Sequence, residues 1–363
     1  MINRIIYIDI LKGFSILAVV WFHINFKHHS GTLFSPSLFG SIWHVPIFFF
    51  VGGFFITESK INNTKSFLKN KIFNLYIKGL CYFIPVAILH NKFFAWGWYS
   101  TDIEYGGEHE SVMSFSSHCI LIVKQFLLMS REPIVGAMWF LDSLFIAMTC
   151  LGLLYWFCKR LRIKEVFPIA VLVLVVMSNF STNLFGIVLP KINNSISGMG
   201  LIYLGSYMFQ RGLCDYVNKY TFLISLMLLW NISLLDNQIS LNKNAYNSVL
   251  QLIGITISAY YTYAFIAKKI ERSYLGKAIS FIGEYSFAIM GLHFVGFKIC
   301  SMFLSFLTGN DVASYYLTTP DLGGNYFYIF SYYIFGIFIP IVIVRIISCI
   351  LKYGNDKCLH CNL

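Results

Sequence analysis

Ten apolar runs, roughly 5–26, 39–57, 72–90, 134–158, 166–188, 196–211, 219–236, 246–267, 278–304 and 326–351, fill most of this 363-residue chain. A helix needs about 17 to 25 apolar residues to cross the hydrocarbon core of a bilayer. With 57% hydrophobic and 12% charged residues and a mean hydropathy of +0.68, the chain has more apolar surface than one soluble core could cover. The expectation is an all-α, polytopic membrane protein: about ten transmembrane helices in one bundle with a central cavity, forming a single domain over residues 1–363. The third run, interrupted by Lys78 and Pro85, and the sixth, short and glycine-rich, are the weakest. Irregular backbone is tolerated there where neighbouring helices cover it.

Charge orients the spans. With the N-terminus cytoplasmic, the inner segments hold Arg4, Lys60 to Lys71, Lys159 to Lys164, Arg211, Lys219, Lys268 to Lys277, Arg345, Lys352 and Lys357, which is 18 of the 27 basic residues. The outer segments hold Lys27, Lys92, Lys124, Arg131, Lys191 and Lys243, and Lys12, Lys78 and Lys298 fall in spans. This alternation is the positive-inside pattern. It places both termini, including the tail 352–363, in the cytoplasm of a multi-pass protein of the inner or plasma membrane. The net charge of +11 is thereby accounted for by loops facing anionic lipid, and a nucleic-acid partner is excluded because no basic groove or aromatic platform accompanies it. The first run is too long and too charged for a signal peptide and lacks an A-x-A site, so it is expected to remain in the mature protein.

Within that first run stand Asp9, Lys12 and His23, ionisable groups that are expensive in hydrocarbon unless a partner or a function holds them. At about 100° per residue, His23 lies about 20° past three full turns from Lys12, and Asp9 about 60° from it. All three share one stripe, with His23 about 16 Å beyond Lys12 at 1.5 Å per residue.

The nine cysteines are scattered and form no disulfide framework; the tail pair Cys358 and Cys361 lacks further ligands, so it is read as incidental and no metal is expected. One outer connection, about 91–133, is long, and its first half is acidic and aromatic: Trp96, Trp98, Tyr99, Asp102, Glu104, Tyr105, Glu108 and Glu110. Ring faces beside carboxylates suit a sugar, which makes Trp96, Trp98, Tyr99 and Glu104 candidate acceptor contacts. An interfacial aromatic belt explains the same residues and is the simpler reading. A second outer loop, Leu307 to Asn325, carries Asp311, Asp321, Gly323 and Gly324 and would fold over the same mouth.

Four segments together resemble the acyltransferase-3 superfamily, particularly its fucose O-acetylase-like branch. They are Ile8-Asp9-Ile10-Leu11-Lys12-Gly13 continuing to His23; Trp43-His44-Val45-Pro46-Ile47-Phe48-Phe49-Phe50-Val51-Gly52-Gly53; Met138-Trp139-Phe140-Leu141; and Phe281-Ile282-Gly283-Glu284-Tyr285 continuing to His293. Lys12 stands where much of the superfamily has arginine, Gly52 where it has serine, Glu284 where it has lysine, and Met290 where it has tyrosine. Lysine keeps the charge and loses the bidentate fork.

The resemblance implies transfer of an acyl group, usually acetyl, from cytoplasmic acyl-CoA, a co-substrate rather than a bound cofactor, to a hydroxyl of a cell-envelope or lipid-linked glycan. It implies His23 as the catalytic residue, as general base or transient acyl carrier. Lys12, Asp9, His44, Trp139 and His293 would bind the donor or support the site. Each has a structural alternative: an i,i+3 ion pair for Asp9 and Lys12, helix capping for His44, packing for Trp139, and an interhelical hydrogen bond for His293. A transporter or flippase with an intramembrane relay and a noncatalytic scaffold are rival functions, and a homodimer is left open.

Overall fold

The computed structural model describes residues 5–24, 42–105, 108–129, 132–186, 191–235, 239–309, 318 and 326–360. Regular structure among them is helical: α1 (Ile6–His23), α2 (His44–Gly53), α3 (Glu58–Asn62), α4 (Thr64–Lys71), α5 (Lys78–Ile88), α6 (His90–Ala95), α7 (Phe115–Phe126), α8 (Trp139–Arg160), α9 (Phe167–Phe185), α10 (Ile192–Gln210), α11 (Lys219–Leu235), α12 (Val249–Ile270), α13 (Tyr274–Glu284), α14 (Ser286–Thr308) and α15 (Tyr326–His360). The exception is a ribbon of two residues per strand, Glu104–Tyr105 antiparallel to Glu108–His109.

Seven helical stretches among the described residues are long and apolar enough to cross a membrane: Ile6–His23, Thr64–Ile88, Pro133–Arg160, Lys164–Leu184, Val249–Ile270, Ser286–Thr308 and Tyr326–Ile350. The other three apolar runs are helical as well, but they fall short by length or polarity. With 10 residues, α2 extends about 15 Å, half of a typical hydrocarbon core of ~30 Å. Asparagines, serines and glycines dilute α10, and Lys219–Leu234 is a shorter apolar helix. The third run begins earlier than its hydropathy suggests, because Asn63 caps the lysine-bearing α4, its side chain accepting from the Ser66 N–H, and a π-helical turn, Ile72–Ile77, carries the chain into α5.

The expected ninth span, 278–304, is two helices. The chain breaks at Tyr285, whose hydroxyl accepts from Arg345 Nε at 3.1 Å while the guanidinium lies over its ring. On α13, Gly276, Ile279, Ser280 and Gly283 are buried and Tyr274 and Leu275 are exposed, the pattern of an amphipathic segment.

The helices fall into two compact units, one of residues 5–19, 42–82 and 138–284, the other of 20–24, 83–137 and 285–360. In the first, α10 packs against α2, α8 and α9. The α2–α10 crossing brings backbone onto backbone: a Cβ on Gly53 would collide with the Ile202 carbonyl, and one on Gly205 with the Phe50 carbonyl. The crossing of α1 on α13 repeats the device, with Gly13 against the Ile279 carbonyl and Gly283 against the Asp9 carbonyl. Small residues at such contacts let helices approach where no hydrophobic effect drives them together. By contrast, a Cβ on Gly52 would meet the side chains of Met148 and Leu144, at 3.4 and 3.8 Å, in ordinary van der Waals contact, so this position has room for a small side chain.

At one end of α9 and α10 the unit is polar and hydrogen-bonded throughout. Ser197 Oγ donates to Asn244 Oδ1 at 2.7 Å, Asn179 to the Tyr246 carbonyl at 3.0 Å, Asn193 to Thr182 Oγ1 at 2.8 Å, and Lys191 pairs with buried Asp142 at 3.3 Å.

In the second unit, α14 packs along α15, where Tyr332 and Ser301 hydroxyls meet at 2.6 Å. The long connection between α5 and α8 is itself folded, with α6, the ribbon and α7. Buried His90 and Glu132 tie its two ends together: His90 Nδ1 lies 2.9 Å from Glu132 Oε1, and its Nε2 lies 2.9 Å from the Ser111 carbonyl. Tyr99 donates to Glu132 Oε2 at 3.1 Å and accepts from the Ile134 N–H. Both imidazole nitrogens thus face acceptors, which suits the doubly protonated ring. Burial alone would lower the His90 pKa, but the bonded Glu132 carboxylate and the Ser111 carbonyl raise it above the ordinary value. The exposed side of α7 carries Phe115, Ile120, Val123 and Phe126. That composition suits the headgroup boundary of a bilayer.

Two outcomes follow from this packing. Gly283→Val should lower the thermal midpoint of the detergent-solubilised protein by several degrees, since overpacking costs typically about 1–3 kcal/mol and the colliding group is backbone. Gly52→Ala should leave the midpoint within a degree or two.

A further outcome is pH-dependent. A raised pKa in the folded state means that the His90–Glu132 pair stabilises fully below the unfolded value of about 6.5 and loses that contribution as pH rises through the folded value. Hydrogen exchange in residues 91–129, corrected for intrinsic rates, should therefore show protection weakening on the alkaline side, and Glu132→Gln should flatten the dependence.

Candidate active site

The helix that carries the ionisable stripe is continuous from Ile6 to His23, so the register read from the sequence holds along it. Its first part, to Val19, belongs to one compact unit and its last turn to the other. In the first part, Lys12 Nζ stands 2.6 Å from Asp9 Oδ1, with 29% and 10% of the two side chains exposed. The i,i+3 ion pair is therefore present, and Lys12 still offers part of its surface to a further anion. The glycine crossing with α13 sets this turn, because Gly283 rests on the Asp9 carbonyl and Gly13 follows Lys12 directly.

Beside this turn the first unit gathers aromatic rings. Tyr263 of α12 stacks on Trp43 with centroids 3.9 Å apart and meets Phe14 of α1 at 5.8 Å. Trp43 is the residue before α2, and His44, buried, is its first residue. Pro46 follows in the first turn, where a missing N–H leaves no bond unmade. Trp139 opens α8 after the 3-10 turn Pro133–Met138 and is half-buried, edge-on to Phe140.

In the second unit, His23 closes α1, half-buried. Its ring stacks on His293 of α14, with centroids 5.1 Å apart and planes 30° from parallel, and meets the face of Phe294 at 5.0 Å. The structure thus brings together two histidines that lie in the first and ninth apolar runs. His293 is fully buried. Its Nδ1 lies 2.8 Å from the Ile289 carbonyl one turn earlier. A carbonyl only accepts, so Nδ1 carries the proton and, in the neutral ring, Nε2 carries the lone pair. Nε2 is buried and has no hydrogen-bond partner among the described atoms.

Sequence reasoning missed the role of Lys298, which it counted only as one of several charges within spans. This lysine is 1% exposed and donates to the Trp98 carbonyl at 2.7 Å, while Trp98 Nε1 donates to Met302 Sδ at 3.3 Å. The acceptor candidates sort accordingly. Trp96 is 47% exposed; Trp98, stacked on Phe93, and Tyr99, bonded to Glu132, are turned inward; Glu104 lies in the first strand of the ribbon. Most of residues 307–325, expected from the sequence to form a second outer loop and including Asp311, Asp321, Gly323 and Gly324, lies outside the described residues, as does Cys361. The described residues contain no group of three or more His, Cys, Asp or Glu placed to hold a metal ion.

A thioester and an alcohol exchange an acyl group when a base takes the hydroxyl proton and the developing charges are stabilised. The two stacked imidazoles are groups of that kind. Comparison with curated proteins and with solved structures gives no match. A family model described as an acyltransferase domain matches residues 5–348. That match takes in nearly every described helix, from the stripe of α1 to the membrane-crossing part of α15, and the chain belongs to the acyltransferase-3 family of membrane acyltransferases.

Proposed function

We propose that this protein moves an acyl group, acetyl in the first instance, from cytoplasmic acyl-CoA to a hydroxyl of a cell-envelope or lipid-linked glycan, with His23 as the reactive residue. The observation that carries the reading is the position of His23, at the end of the helix that begins with the Asp9–Lys12 pair and stacked on a second imidazole. The family supplies the reaction type, and the resemblance to its fucose O-acetylase-like branch supplies the acceptor class.

The charge of the loops puts the Lys12 end of α1 toward the cytoplasm and the His23 end toward the outside, with both termini inside the inner or plasma membrane and about ten crossings in all. Acyl-CoA enters from the side that carries most of the basic residues, and its phosphates meet lysine and arginine there. Lys12 acts as a point charge that orients the donor or neutralises charge near it. The thioester arm runs along α1 toward His23. The glycan arrives from the outer side, where Trp96 offers an exposed ring for a sugar face. At His23 the hydroxyl oxygen attacks the thioester carbon, its proton passes to an imidazole, and the carbon–sulfur bond breaks with the electron pair on sulfur.

Radiolabelled acetyl-CoA given to isolated membranes should place label in glycan. His23→Ala should reduce that transfer by at least a hundredfold, within the 10²–10⁴ range of general acid–base catalysis, while the protein still inserts. Activity within tenfold of wild type would refute the assignment, and movement of acceptor across the membrane without labelling would favour transport.

Lys12→Arg should retain partial activity and Lys12→Ala should lose it. If Lys12 serves only to pair with Asp9, the doubly neutral Asp9→Asn, Lys12→Gln protein will recover what either single change loses, and the donor role falls.

A further inference from the structure

We propose that His293 is a second catalytic residue and that the two stacked histidines divide the proton work: His293 takes the proton of the acceptor hydroxyl through Nε2, and His23 delivers a proton to the departing sulfur. The proposal rests on the acyl-transfer reading above and assigns the two ends of that reaction to two rings.

The geometry of His293 is that of an oriented base. Its Nδ1–H is held by the Ile289 carbonyl at 2.8 Å, which fixes the tautomer and leaves the lone pair on Nε2. A base whose far nitrogen is anchored by a third group is the arrangement nucleophile-activating histidines share. A buried acceptor left without a donor costs about 1–3 kcal/mol, and Nε2 has no donor among the described atoms of the fold. An incoming O–H satisfies it.

The partner ring is placed to act at the other end. With centroids 5.1 Å apart, two imidazoles can serve one reacting carbon, because the attacking oxygen and the leaving sulfur on that carbon are roughly 3 Å apart. Phe294 and Phe297 lie against the His293 ring at 4.3 and 5.6 Å and give it an apolar surround.

The atoms balance. The hydroxyl O–H bond breaks and its proton goes to His293 Nε2; the new carbon–oxygen bond forms; the carbon–sulfur bond breaks with its electron pair on sulfur. The proton on His23 then goes to that sulfur, giving the free thiol. Loss of the proton from His293 to solvent and uptake of one by His23, after the products leave, restore the starting state, and no oxidant or further reactant is needed.

The informative substitution is His293→Asn, whose side-chain amide N–H can replace Nδ1–H toward the Ile289 carbonyl while nothing replaces Nε2. It is measured beside His23→Gln in purified protein reconstituted with acetyl-CoA and a glycan acceptor. The expected result for His293→Asn is a loss of kcat of a hundredfold or more. Its KM for acetyl-CoA should stay within threefold and its thermal midpoint near that of wild type, and the acid limb of the pH–rate profile should disappear. Activity within tenfold with an unchanged profile overturns the assignment, and so does a loss accompanied by a lower midpoint or a raised KM, which marks a structural support. If His23→Gln is inactive and His293→Asn is not, this inference alone fails. If His23→Gln is itself active, the acyl-transfer reading at His23 fails first.

Discussion

Hydrocarbon offers no hydrogen bonds, and that single fact governs where most buried polar groups of the described helices sit. A polar atom left alone in a span costs several kcal/mol, so each needs a partner inside the fold. The apolar spans meet the demand in four ways. Lys12 is met by a carboxylate one turn away, Lys298 by the Trp98 carbonyl, and His293 Nδ1 by the carbonyl of its own preceding turn. The serines and asparagines at one end of α9 and α10 satisfy one another and the backbone of residues 242–247. The hydroxyls of Ser15, Thr149 and Thr262 and Nε2 of His293 are exceptions among the described residues, and of these Nε2 alone is a nitrogen that can act as a base.

Much of this was legible in the residues themselves. The apolar runs located the helices, since a 3.6-residue turn makes any long apolar stretch a helix once water is excluded. The i,i+3 spacing of Asp9 and Lys12 made their pairing a local matter, and the structure contains it. What failed was local too. Hydropathy does not mark the stop at Tyr285, because apolar residues continue on both sides of it. Nor does it measure how much of an apolar run is helix: α2 extends only from His44 to Gly53 among the described residues, although the run begins before it.

The histidine pair was half legible. Each histidine was singled out by its presence in an apolar run, and their stacking was not, because 270 positions separate His23 from His293 and no periodicity relates two different helices. The same holds for His90 and Glu132, which lie in a connection that reads as a loop with scattered charges. Tyr99 shows the converse error of emphasis. An aromatic residue next to acids suggests an open sugar platform, yet its hydroxyl closes a buried network and its ring faces His90 and Phe93. Composition identifies which groups are in a segment; burial decides which of them a ligand can meet.

The Lys298 contact bears on how such proteins can be recombined. The ammonium sits on a span, and the carbonyl it holds belongs to the turn at Trp98, two hundred residues earlier in the chain. The segment 91–133 is therefore not an interchangeable cassette clipped onto inert helices. A chimera that imports residues 91–133 from another sequence must bring a carbonyl to the place of Trp98 or also import α14; otherwise this hydrogen bond is lost. The natural seam for grafting follows the hydrogen bond rather than the hydropathy boundary, and the segment and the helix form one heritable unit.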